Sequence, residues 1–300
     1  MRRLSLAVGP GDEGERLDRF IAARGGISRG EARRALDAGG VFLDGRRCKV
    51  ASRPVHPGQS VAVNLEEAGR VAGSVAPLGP ERLLHADAEL VAVDKPAGVP
   101  SQPTLTSDAG TLPELAGALV GSPVTLVHRL DRETSGVTVF ARTKSAAAAL
   151  AEAFRTGGPE KTYLALCARA PSPPEGRIDQ PLGKDPARAG LRRVDPRGDP
   201  AATRYRTLRE GAGAALVEAS PETGRTHQIR VHLAHLGAPL LGDARYGGPR
   251  RVGEVAIPRV MLHALRLELT HPSTGARLVL EAPVPEDFRA VEGALLALPR

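Results

Sequence analysis

Tryptophan is absent from the 300-residue chain, and Phe, Tyr and Trp together make up only 3% of it. A binding platform of stacked aromatic rings therefore has little material to be built from. Cysteine is nearly as scarce. Cys48 and Cys167 form no C-x-x-C pair, which indicates neither a disulfide framework nor a thiolate zinc site. No apolar run approaches the roughly 18 residues of a membrane span, and residues 4–8 are too short for a signal-peptide core. A Walker-type loop, a G-x-G-x-x-G fingerprint and an internal repeat are also missing, so no nucleotide cofactor is expected. These absences suit a protein of the reducing cytoplasm with no membrane attachment.

What is present is basic charge on a chain that should fold. Hydrophobic residues reach 41%, enough to bury a core. Lys plus Arg exceed Asp plus Glu by 41 to 34, a formal charge of +7, and Arg dominates, which favours planar contact with phosphate. Residues 1–66 hold 12 basic and 8 acidic side chains, more than half of the excess. In this region an amphipathic stretch with Leu17, Phe20 and Ile21 inward precedes a second helix over 29–38, with Ser28 as its N-cap and Gly39 and Gly40 ending it. Short strands at 41–43 and 60–64 and a turn at Asp44-Gly45 complete the unit. Arg29, Arg33 and Arg34 lie on or beside one helix face, and Arg46, Arg47 and Lys49 follow in the hairpin. Residues 66–80, rich in Gly, Ala and Pro, read as a linker.

Beyond the linker the pattern is α+β, a mixed, mostly antiparallel sheet rather than regular βαβ units. Strands are expected at 90–93, 124–127, 137–141, 162–166, 203–208, 215–219, 261–269 and 278–281, and helices at 145–154, 226–236 and 286–296. Residues 171–200, dense in Pro, Gly and Arg, read as a loop-rich surface. The sequence thus divides into 1–65, the linker 66–80 and a larger domain over 81–300.

The segment Val127-His128-Arg129-Leu130-Asp131-Arg132-Glu133-Thr134-Ser135-Gly136 sits between two apolar strands and places Asp131 at a strand end, where scaffolds present reactive groups. It resembles the H-R-L-D-x-x-T-S-G signature of the RluA-type RNA pseudouridine synthases at every specified position. Asp94-Lys95-Pro96-Ala97-Gly98, Glu160-Lys161-Thr162-Tyr163, and the run from Thr223-Gly224-Arg225-Thr226-His227-Gln228-Ile229-Arg230 onward to Gly242-Asp243 resemble further segments of that family, in its order. The helix pair and hairpin of residues 1–65 resemble the alpha-L (S-four-like) RNA-binding domain.

The resemblance implies a cofactor-free, metal-free isomerase that breaks the bond from ribose carbon 1 to uracil nitrogen 1, turns the base and rejoins it through carbon 5. It implies Asp131 as the catalytic carboxylate, Arg230 as its ion-pair partner, Tyr163 as the residue stacked on the base, and Arg129 as the side chain that fills the space of a flipped uridine. Arg29, Arg33, Arg34, Arg46, Arg47 and Lys49 are the expected RNA contacts. Structured RNA is the expected partner, large-subunit ribosomal RNA favoured over transfer RNA, with the protein a monomer and no obligate protein partner. On a helix from Thr226, His227 and Arg230 would share the face toward the site. Two departures from the family pattern, Asp199-Pro200 and Ser101-Gln102-Pro103-Thr104, bear on the RNA target rather than the reaction. Three rivals stay in view: a zinc site from His227, His232, His235, His263 and His271, a glycosidase using Asp131 and Glu133, and a non-catalytic RNA-binding assembly factor.

Overall fold

The structure, a computed structural model, describes residues 2–65, 76–103, 110–211 and 213–296. The chain forms two compact units, Met1–Pro77 with Gln102–Glu114, and Leu78–Ser101 with Leu115–Arg300. Residues 66–75 of the expected linker lie outside the described residues.

In the first unit, β1 (Arg2–Ala7), α1 (Leu17–Gly25), α2 (Arg29–Ala38), β2 (Val41–Leu43), β3 (Arg46–Arg47) and β4 (Ser60–Leu65) follow in order. The strands form one antiparallel sheet, β1-β4-β2-β3. Leu17, Phe20, Ile21, Leu36, Val41, Val61 and Val63 pack as its core. Local chemistry sets the boundaries. Ser28 Oγ accepts from Glu31 N at 3.2 Å while Glu31 Oε2 accepts from Ser28 N at 2.8 Å, a capping box worth about 1 kcal/mol. Asp44 and Gly45 both take positive φ, the turn that matches a tight hairpin's twist. The strand β1 was not expected. It lies along one edge of its sheet, where one flank has no neighbour to bury it, and only Leu4 and Leu6 of its side chains are partly buried.

The second unit runs β5 (Leu83–Ala86), β6 (Leu90–Lys95), α3 (Leu112–Val120, which begins in the first unit), β7 (Thr125–Leu126), β8 (Ser135–Ala141), α4 (Lys144–Thr156), β9 (Glu160–Cys167), β10 (Glu175–Asp179), β11 (Leu182–Lys184), β12 (Arg192–Val194), β13 (Ala202–Gly211), β14 (Ala214–Pro221), α5 (Gln228–His235), β15 (Arg251–Val252), β16 (Val255–Ala256), β17 (Leu262–Thr270), β18 (Arg277–Glu281) and α6 (Glu286–Leu296). Ten strands join in one mixed sheet along β10-β13-β14-β9-β17-β8-β6-β5, with β18 on β17 and β7 on β8. Every pairing in it is antiparallel except β17 with β8, which agrees with the α+β, mostly antiparallel expectation.

Residues 171–200 need a correction: they carry β10 and the hairpin β11–β12 rather than loops alone. Polar, exposed strands show no apolar alternation, so periodicity passes over them. The helix expected from Thr226 starts two residues later. His227 is its N-cap in the left-handed region, at φ 60°, and so stands outside the helix face it was assigned to. Ile229 and Leu233 pack into the core.

The single parallel pairing builds the floor of the site. Ala264 of β17 registers with Gly136 on one side and with Tyr163 on the other, so Tyr163 lies one strand away from the start of β8 and the loop that precedes it. Gly136 sits at φ 114°, and a Cβ there would fall 2.1 Å from the Ala264 carbonyl oxygen, so no other residue fits.

Candidate active site

Asp131 lies in the loop entering β8, and the carbonyls of five consecutive loop residues each have a donor. Ser101 Oγ donates to Leu130 O at 2.7 Å, Thr134 N to Asp131 O at 3.1 Å, and Gly98 N to Arg132 O at 2.8 Å. Lys95 Nζ donates to Arg132 O at 3.0 Å and Thr134 O at 2.7 Å, and Arg259 Nη1 to Glu133 O at 3.3 Å. A loop with its backbone acceptors satisfied behind it is rigid, and its carboxylate has a defined direction. Lys95 is fully buried, and that burial draws its pKa down to about 7, against the pull of the Asp131 charge. Ser101, one of the two departures from the family pattern, thus supports the residue next to Asp131 instead of lying apart from the core.

The loop opens onto a cavity of about 330 Å³ lined by Arg129, Asp131, Lys161, Tyr163, His227 and Arg230 among others. The Asp131 side chain is 19% exposed there, and Arg230 Nη1 donates to its Oδ2 at 2.9 Å. The other two nitrogens of the Arg230 fork bind Asp243, Nε to Oδ2 at 2.6 Å and Nη2 to Oδ1 at 2.9 Å. Burial alone would lower the Arg230 pKa, but the Asp243 hydrogen bonds and then the Asp131 charge more than reverse it, so Arg230 stays a cation. The Tyr163 pKa is raised as well, by burial and next by the Asp131 charge, which keeps the phenol neutral.

His227 Nε2 lies 3.8 Å from Asp131 Oδ2, and its Nδ1 lies 2.7 Å from the Tyr246 hydroxyl, which itself accepts from Arg192 N at 2.9 Å. With the Tyr246 oxygen already accepting, its O–H is free to donate to Nδ1. The neutral ring then carries its proton on Nε2, facing the carboxylate, which is the electrostatically favoured tautomer. Burial lowers the His227 pKa and so favours this neutral form.

The expected residues are thereby sorted. Asp131, Tyr163, Arg230 and Arg129 come together around one cavity, Arg129 exposed and without an ion pair among the described residues. The other six expected residues belong to the first unit. Arg29 and Arg33 reach the buried Asp18 at 3.0 and 3.5 Å. Arg47 caps Gly39 O and lies 5.0 Å from the centre of the Phe42 ring, while Arg34, Arg46 and Lys49 are exposed. Sequence reading gave no role to Lys95, Asp243 or Tyr246, and placed His227 only on the helix face toward the site and in the rival zinc reading. Lys95, His227 and Asp243 stood inside quoted motifs, which was the one available signal.

The rival arrangements do not assemble. Glu133 is exposed and does not line the cavity, so it forms no carboxylate pair with Asp131 across it. His232 is spent on Thr203 and Gln180, His263 on Ser135 and Ala282, and His271 on Asp87. Among the described residues no three His, Cys, Asp or Glu side chains are grouped to hold a metal.

The site is thus a carboxylate, held by a rigid loop beside a buried guanidinium and a neutral tyrosine, that opens to a cavity of about 330 Å³. Residues 89–235 match the family model for RNA pseudouridylate synthase and residues 15–61 that for the S4 domain. An RNA pseudouridine synthase of Chloroflexus aurantiacus is 38% identical over 95% of this chain and 92% of its own. The ribosomal large subunit pseudouridine synthase D of Haemophilus influenzae is 32% identical over 98% of this chain and 95% of its own. The solved structure of human RNA pseudouridylate synthase domain containing 4 is 32% identical, with a TM-score of 0.59 over 73% of this chain and 94% of that one. The chain belongs to the RNA pseudouridylate synthase family, and its reaction is the isomerisation of uridine to pseudouridine in RNA.

Proposed function

We propose that Asp131 is the carboxylate that attacks or deprotonates the ribose of a flipped uridine, that Arg230 holds it, that Tyr163 stacks on the displaced base, and that the substrate is large-subunit ribosomal RNA. The observation that carries the chemistry is the open Asp131 oxygen pair, hydrogen-bonded to a buried arginine on a cavity shared with Tyr163. A cavity of about 330 Å³ is at the small end of ligand sites and suits a single nucleoside. Drawing the uridine out of its stack costs a few kcal/mol, which phosphate contacts offset, and the exposed Arg129 on the cavity lining would fill the vacated space. The ribosomal target is supported by the names of relatives such as the Haemophilus influenzae protein.

Two measurements test this. Asp131→Asn is expected to lower single-turnover pseudouridine formation by more than about 1000-fold while RNA affinity stays near the parent value. Turnover retained by that variant would refute the assignment of Asp131. Pseudouridine mapping of ribosomal and transfer RNA from cells with and without the gene decides the target. Loss of a site in transfer RNA alone would replace the ribosomal reading.

A further inference from the structure

Arg230 reaches Asp131 with one nitrogen, although a guanidinium facing a carboxylate commonly engages it with two. Its Nε and Nη2 are committed to both oxygens of Asp243, at 2.6 and 2.9 Å. Asp243 is 1% exposed and does not line the cavity, so it cannot touch a substrate seated there. Its own place is fixed by backbone. Asp243 N donates to Leu240 O at 3.1 Å, and Asp243 O accepts from Tyr246 N at 3.0 Å and Gly248 N at 2.8 Å. Gly242 turns the chain at φ 79°, where a Cβ would fall 1.8 Å from Arg259 O.

A two-pronged bond fixes the plane of a guanidinium, and the Tyr246 ring, its centre 5.0 Å from the Arg230 Cζ, fixes the face. With plane and face set, Nη1 has one direction left, and it points at Asp131 Oδ2. We propose that Asp243 is the positioning residue of the catalytic pair. It orients the Arg230 fork and takes up most of its charge, so that Asp131 is aimed by a single hydrogen bond and keeps the rest of its carboxylate turned to the cavity. Without the Asp243 charge the fork rotates toward Asp131, the only other carboxylate paired with it among the described residues, and Asp131 becomes locked in a two-pronged pair. The proposal rests on the reading of Asp131 as the catalytic carboxylate.

The test compares full-length Asp243→Asn, Arg230→Ala, their double variant and Asp131→Asn on an RNA containing the mapped uridine. Asp243→Asn is expected to slow single-turnover product formation about 100-fold while RNA affinity changes by less than about twofold. Because Asp243 acts through Arg230, the double variant should be no slower than Arg230→Ala alone, whereas a merely structural role would make the losses multiply. A loss below about tenfold in Asp243→Asn, or multiplying losses, overturns the proposal. Should Asp243→Asn fail to fold, Asp243→Glu, which keeps the charge and shifts it by one methylene, carries the test with the same threshold of about tenfold at unchanged affinity. An active Asp131→Asn would sink the underlying assignment instead, whatever Asp243 does.

Discussion

Asp18 in the first unit and Asp131 in the second are both aspartates held by arginines, but the balance of charge around them is opposite. Asp18 is completely buried, and three arginines converge on it: Arg16 at 3.1 Å, Arg29 at 3.0 Å and Arg33 at 3.5 Å, each from 37 to 56% exposed. Burial pushes its carboxyl up, yet the Arg16 and Arg29 hydrogen bonds outweigh that and hold it below the usual range. Cations outnumber the acid there, so the surplus positive charge faces water and is available to phosphate. Around Asp131 one buried arginine serves two carboxylates, and the less buried of the two opens on the cavity. A sealed acid with spare cations leaves positive charge at the surface, whereas an open acid with a shared cation keeps carboxylate oxygen turned to the cavity.

The sharpest way to break this contrast is to neutralise each acid in turn and measure stability. Asp18→Asn strips a sealed site of its anion and leaves three arginines crowded together, so it should destabilise the first unit by about 3 kcal/mol. Asp131→Asn leaves Arg230 still paired with Asp243 and should cost less than about 1 kcal/mol while abolishing turnover. Equal losses of stability in urea titrations of the two variants would erase the distinction.

The units also differ in how acid should affect them. His263 in the second unit is fully buried, with Ser135 Oγ at 3.0 Å from Nδ1 and Ala282 O at 3.3 Å from Nε2. Burial lowers its pKa from an ordinary 6.5 to about 4. Folded His263 is therefore neutral between those values while the unfolded chain takes up the proton. Its contribution is intact above pH 6.5 and is lost as pH falls toward 4, at up to about 1.4 kcal/mol per pH unit. The first unit's histidine, His56, is instead 57% exposed beside Glu13. Stability measured between pH 7 and 5 should fall in the second unit, and His263→Gln should flatten the slope. An unchanged slope in that variant would remove His263 as the cause.

How far the sequence could be read follows the same division between local and long-range chemistry. The α2 cap at Ser28, the turn at Asp44-Gly45, and the wholly buried strands β6 and β8 were all legible because neighbours in sequence determine them. The Asp131 loop was legible through its family signature. The Asp243 fork was not, because Gly242 and the turn after α5 bring it back to Arg230 only in three dimensions. Arg29 and Arg33 were legible as basic, but not as partners of Asp18, which lies in the preceding helix. The strand β10 escaped notice because four of its five residues are exposed.

The smallest expected effects separate the arginines of the first unit from one another. Arg34 and Arg46 are exposed and form no ion pair among the described residues, whereas Arg29 is tied to Asp18 at 3.0 Å. If the unit docks RNA through its surplus charge, Arg34→Ala and Arg46→Ala should each reduce the slope of log affinity against log salt by about one, with no change in stability. Arg29→Ala should weaken binding to a similar degree and also destabilise the fold, because Asp18 loses a donor it cannot replace with water. Salt titrations of RNA binding beside melting curves read both quantities. Were Arg29→Ala to leave stability untouched, the Asp18 cluster would be a surface arrangement and not the brace that sets this helix pair.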